Sequence, residues 1–166
     1  LQFPVKPPEG TRKPHFLRGG SSNPVHLLVW KADAAAKGGN GVEEAVARGW
    51  KQNPKPQAKE GQQTRSKSAW SQGRWRVVMK RPLVTGDRGD VQLRQGKFIP
   101  LAVNAWDGSN GEHGLIMSVS SWYFVFLKAP TPVSVYIYVI LAVLIAGGIG
   151  FWLMRKAEKG ELGGAA

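Results

Sequence analysis

The stretch "HGLIMSVSSWYFVFL", residues 113–127, decides how this chain is read. With a period of two it sets Leu115, Met117, Val119, Ser121, Tyr123, Val125 and Leu127 on one face, and Ile116, Ser118, Ser120, Trp122, Phe124 and Phe126 on the other. Neither face is polar enough to lie in water. The pattern therefore predicts a strand packed on both sides, with the thioether of Met117 among small hydroxyls. Working outward, "KPHFLRG", "NPVHLLVWKA", "GRWRVVMKRPL", "GKFIPLAVNAW" and the opening "LQFPV" are apolar or alternating runs bounded by Gly, Pro, Asn and Asp. The class they predict is all-β. One short helix is expected at residues 42–48, with Asn40 or Gly41 as its cap and Gly49 at its stop. The polar run "KQNPKPQAKEGQQTRSKS", residues 51–68, is expected to form a long exposed loop.

Near the end, "VSVYIYVILAVLIAGGIGFWLM", residues 133–154, runs without a charge and is long enough to cross the hydrocarbon core as a helix. Tyr136 and Tyr138 near one end and Trp152 near the other suit the two interfaces, and Arg155, Lys156 and Lys159 follow at once. The positive-inside rule then puts the tail, residues 155–166, in the cytoplasm and residues 1–128 on the periplasmic or extracellular side of the cell membrane. "KAPTP" supplies a stiff linker over 129–132.

A chain of 166 residues has room for one domain and a single further helix. Cysteine is absent, which removes disulfides, thiolate metal sites, iron–sulfur clusters and covalent haem attachment. The net charge of +12 is spread through loops and strands with no basic helix, so an acidic protein partner is favoured and nucleic acid is not expected. With no initiator Met, "LQFPV" reads as a strand whose upstream part is missing.

Cys/His pairs, His-x-x-x-His, phosphate loops and dinucleotide fingerprints are all absent, and Asp107 and Glu112 in "WDGSNGEHG" read as turn formers. What remains are soft or aromatic-nitrogen groups: Met79, Met117, His15, His26 and His113. Haem iron accepts both types. Periodicity alone favours each Met as core filler over ligand, and each His as a surface or turn residue.

The runs "LQFP", "NPVHLLVWKAD", "GRWRVVMKRPL" and "GKFIPLAVNAWDGSNGEHG", then "SVSSWYFVFL", resemble the haem-binding domain of the ethylbenzene dehydrogenase gamma-subunit family. That family takes in the gamma subunits of dimethylsulfide, selenate and chlorate oxidoreductases and membrane-anchored b-type cytochromes. The W-D-G-x-x-G-E turn followed by S-x-W carries most of the likeness. The resemblance implies a β-sandwich over residues 1–128 that binds one haem b without covalent attachment. It further implies an electron-transfer subunit, not itself the catalyst, working between a quinol-linked respiratory membrane complex and another redox protein. Its partners would be the membrane, other subunits of a respiratory oxidoreductase or cytochrome b complex, and a soluble cytochrome. The family's iron ligands, a Met on the "FP" strand and a Lys before the S-x-W strand, fall here on Gln2 and Met117.

Met117 is therefore expected on one side of the iron and His26, sharing a face with Leu28 and Trp30, on the other, with His15, His113 and Met79 behind them. Trp30, Trp75 and Trp122 are expected to wall the slot. Arg81, with Arg74, Arg76 and Lys80, is expected to pair the haem propionates. The rival readings are a non-redox ligand-binding sandwich and a structural subunit of a membrane complex.

Overall fold

The computed structural model describes residues 1–6 and 13–160. It divides into two units, Leu1–Lys128 and Ala129–Ala166. The first is built of strands in small sheets. Strands β1 (Gln2–Pro4), β2 (Val25–Trp30), β3 (Val42–Ala47) and β4 (Lys55–Pro56) form an antiparallel four-stranded sheet. Three two-stranded ribbons join β5 (Arg65–Ser71) to β6 (Arg74–Lys80), β7 (Phe98–Leu101) to β10 (Tyr123–Phe126), and β8 (Asn104–Ala105) to β9 (Ser118–Val119). Gln2 exchanges both backbone hydrogen bonds with Ala102, tying the first sheet to the segment after β7. The second unit holds α2 (Val133–Glu158), long and apolar enough to cross a membrane. All-β patterning followed by one apolar C-terminal helix is thus what the chain adopts.

Alternation along β2 and β3 explains the core. Register pairs Val25 with Ala47 and Leu27 with Ala45, so large side chains lie beside small ones on one face. These four are buried together, and Val29 and Trp122 pack against them. The opposite face carries His26, Leu28 and Trp30 beside Val46, Glu44 and Val42. At the β5–β6 turn both Gln72 and Gly73 have positive φ, the conformation a tight two-residue hairpin requires.

Three local expectations are corrected. Residues 42–48 are strand β3, not a helix: Val42, Glu44 and Val46 alternate with Glu43, Ala45 and Ala47, and pairing on both sides overrides helix propensity. The helix in this region is instead α1 (Ala32–Ala36), an alanine-rich turn between β2 and β3. Residues 51–68 are not a single exposed loop. They contain β4, a 3₁₀ turn at Lys59–Gly61 and the start of β5, with Gly61 and Thr64 buried. The amide of Gln62 is what makes this polar segment fold, because it accepts from the Glu44 N–H at 2.6 Å and donates to the Glu44 and Gln57 carbonyls.

Nor is 113–127 one strand. Ile116 N–H bonds back to His113 O, closing a turn; β9 follows, and only Tyr123–Phe126 resumes the ladder, against β7. The turn before it matches expectation. Asp107 caps the 3₁₀ turn Gly108–Asn110 by accepting from Ser109, and Glu112 accepts from the Asp107 N–H at 2.7 Å.

Candidate functional site

Two chemically distinct places lie around the β2–β3 pair. The first is a sealed ion cluster. His26, Glu44, Asp90 and the Arg81 side chain are all buried. His26 Nδ1 accepts from the Val91 N–H at 3.4 Å, so the ring proton sits on Nε2, which lies 3.0 Å from Glu44 Oε2 and 3.4 Å from Asp90 Oδ1. Arg81 reaches both acids, through Nε to Glu44 at 3.2 Å and through a terminal nitrogen to Asp90 at 2.6 Å. Thr64 N–H completes the Glu44 shell, and Gln57 and Thr85 complete that of Asp90.

Burial, reinforced by Arg81, holds the His26 pKa below its ordinary 6.5 against the pull of Asp90 and Glu44. Burial acts to raise Asp90, but hydrogen bonds from Gln57 and Thr85, with His26 and Arg81, outweigh it and leave the carboxyl below 3.8. Three of these groups are close enough for a metal ion. Every carboxylate oxygen, however, already accepts from a protein donor, and the guanidinium fills the place a cation would take. The arrangement is an internal lock.

The second place is a cavity of about 970 Å³ in the β unit. Leu27, Val29, Trp30, Ala45, Pro54 and Pro56 give it apolar walls, and Arg18, Met79, Asn104, Trp106 and His113 bring polar or soft atoms to it. His113 sits in the turn after the W-D-G segment. Its Nδ1 is 2.7 Å from the Gly111 carbonyl, which can only accept, so Nδ1 carries the proton and Nε2 is left with a free lone pair. Imidazoles that ligate metals are held this way. Trp30 Nε1, close to Gly41, and Asn104 Oδ1 are buried without a partner among the described residues.

The six residues expected to form the site are not gathered in one place. Trp30 lines the cavity, and Trp75 packs edge-on against it at 5.1 Å without lining it. Trp122 lies on the core, its indole N–H bonded to Pro14 O at 2.9 Å. Met117, half-buried in the bend before β9, is not among the cavity residues. His26 and Arg81 belong to the ion cluster, where each is committed to the two acids. Of the alternates, Met79 and His113 line the cavity, while His15, exposed like His113, stacks on Phe16 and does not line it. Gln2 is buried with its amide N–H on Phe16 O. Glu44 and Asp90 went unread as partners. A lone Glu between Val42 and Val46 on an alternating strand was the available sign of a buried charge.

Residues 33–118 match the family profile described as ethylbenzene dehydrogenase. The matched segment contains Met79, His113 and Met117 as well as Glu44, Arg81 and Asp90. The chain is also 31% identical over 124 residues to a protein of Haloferax mediterranei named "Putative respiratory nitrate reductase heme subunit ORF7"; the alignment covers 74% of this chain and 40% of that protein. The chain thus spans less than half the length of that relative. With the profile covering more than half of the residues, the chain belongs to the ethylbenzene dehydrogenase family.

Proposed function

We propose that the chain is a membrane-anchored b-type cytochrome subunit, holding one non-covalent haem b in the β-unit cavity and passing electrons within a respiratory complex. The observation that carries this reading is His113, an exposed residue that lines the cavity with its Nδ1 proton pinned to the Gly111 carbonyl and its Nε2 without a partner among the described residues. The name of the Haloferax mediterranei relative, a heme subunit, supports it. The fit is one of chemistry and volume: an imidazole and the Met79 thioether are both haem-iron ligands, and the walls are mainly apolar, with charged residues such as Lys31, Glu43 and Glu112 among them. Haem b supplies reversible one-electron storage. The chain's own residues supply ligation, exclusion of water and orientation.

On this reading His113 and Met79 would hold the haem iron, in place of the His26 and Met117 pair. His26 serves the ion lock, and Met117 becomes the second ligand if the Met79→Ala spectrum is unaltered and that of Met117→Ala changes. Electrons pass between a quinol-linked membrane complex and another redox protein, such as a soluble cytochrome. Catalysis belongs to a partner subunit. The helix α2 is a single-pass anchor, with the β unit on the periplasmic or extracellular side. Protease added to intact spheroplasts is then expected to digest residues 1–128 and spare the tail; a protected β unit reverses the topology.

The cofactor itself is tested by purifying the full chain from membranes and forming the pyridine haemochrome. A haem b spectrum at one per chain supports the proposal. A colourless, haemochrome-negative protein that folds leaves the non-redox binding module as the better reading.

A further inference from the structure

Among the described residues, two arginines with buried side chains, Arg81 and Arg18, are treated differently. Arg81 has two carboxylates within 3.2 Å. Arg18, only 7% exposed, has no carboxylate within 4.0 Å among the described residues. A buried charge without a counter-ion is costly, and folds that keep one have a partner for it. The single hydrogen bond its guanidinium makes within the described residues is from one terminal nitrogen to Gly114 O, at 2.5 Å, which leaves most of its five N–H donors unused. Its side chain is at the cavity wall.

The backbone points the same way. Arg18 has φ +60, a conformation disfavoured for a residue with a Cβ, and its carbonyl is fixed by the Gly49 N–H at 2.8 Å. Strain of this kind persists where surrounding structure over-determines it, and it clusters at ligand clamps. Burial lowers the Arg18 pKa from its ordinary 12.5, the response of a charge that lacks its counter-ion.

We propose that Arg18 is the anchor for a carboxylate of the cavity's ligand, which on the haem reading above is a propionate. Arg81, Arg74, Arg76 and Lys80 are then not propionate partners: Arg81 is occupied by the ion lock, and none of the four lines the cavity. The bond to Gly114 O gives Arg18 a second consequence, because Gly114 follows His113 directly. One guanidinium thereby holds the ligand's acid and the turn that carries the proposed iron ligand.

The test uses the full chain in detergent, stripped of haem and re-loaded either with haem b or with its dimethyl ester, whose propionates are blocked. Affinity is read from transfer to a haem scavenger, and folding from thermal unfolding. Wild type is expected to bind haem b more tightly than the ester by about tenfold to a hundredfold, the worth of a charge-assisted hydrogen bond. Arg18→Gln is expected to weaken haem b by about that factor more than it weakens the ester, any loss common to both porphyrins reporting the bond to the 114 turn; Arg18→Lys is expected to recover part of the haem b loss. Equal losses for both porphyrins in Arg18→Gln, or equal affinities for both in wild type, would overturn the assignment and leave Arg18 a strap for the 114 turn. The wild-type comparison decides the matter if Arg18→Gln fails to fold. A wild-type chain that binds neither porphyrin removes the haem reading, and the propionate assignment with it.

Discussion

His26 and His113 are the same side chain in opposite circumstances. One ring nitrogen of His26 accepts from a backbone N–H, and the other is enclosed 3.0 and 3.4 Å from two buried acids, without a well-aligned hydrogen bond to either. His113 has one nitrogen held by a carbonyl and the other free beside a cavity. Burial is therefore a poor guide to ligation. A fully enclosed imidazole has its lone pair and its proton already assigned by the fold, and a ligand needs an unassigned lone pair with space in front of it.

The comparison breaks most visibly if the ion lock is opened. His26→Ala takes a neutral buried ring from beside two carboxylates and leaves a cavity, and is expected to destabilise the β unit by about 2–5 kcal/mol, the usual cost of a large-to-small change at a buried polar site. Denaturant unfolding of the haem-free chain measures this. A variant with unchanged stability but no haem would return His26 to the iron.

Acid acts on the same cluster. His26 has a folded pKa below 6.5 and Asp90 one below 3.8, so over each window the unfolded chain binds protons that the folded chain does not. Stability is accordingly present above pH 6.5, lost first as pH falls from about 6.5 through the His26 window, and lost again below about 3.8. Thermal midpoints of the haem-free chain against pH are expected to show both steps, the upper one missing from His26→Gln. A profile flat from pH 7 to 4 would contradict the lock.

The cavity side is sharpened by filling it. Ala45 belongs to both the core cluster and the cavity wall, so Ala45→Leu is expected to cut haem content sharply while costing about 1–3 kcal/mol in stability. Unchanged haem content would place the cofactor elsewhere. At the rim, Lys31 and Glu43 pair at 2.8 Å with both side chains largely exposed, and Lys31→Ala is expected to move stability by no more than about 1 kcal/mol.

These regions differ too in how far the sequence disclosed them. Most of the strands and the apolar helix were legible because period-two and charge-free runs are local signals, as was the W-D-G turn, whose Asp and Glu act on their own neighbours; "KPHFLRG" was misread as a strand, since its residues close a turn with the Gly19 N–H on His15 O. The strand β3 was not, since the glutamates of "VEEAVA" favour a helix until β2 and β4 pair with it. His26 looked like a ligand because its strand neighbours are apolar; Glu44, Arg81 and Asp90 reach it from distant segments, and no spacing announces them. His113 was visible only as an alternate, its use depending on a carbonyl two residues back. Arg18 gave no sign at all in the sequence, because an arginine without a counter-ion can be recognised only once the chain is folded.

The most direct measurement is electron paramagnetic resonance of the oxidised, haem-loaded full chain beside its His113→Ala and His26→Gln variants. The account predicts a low-spin ferric signal in wild type and in the folded fraction of His26→Gln, and conversion to high spin in His113→Ala. A low-spin signal that survives in His113→Ala but is lost in His26→Gln would contradict it.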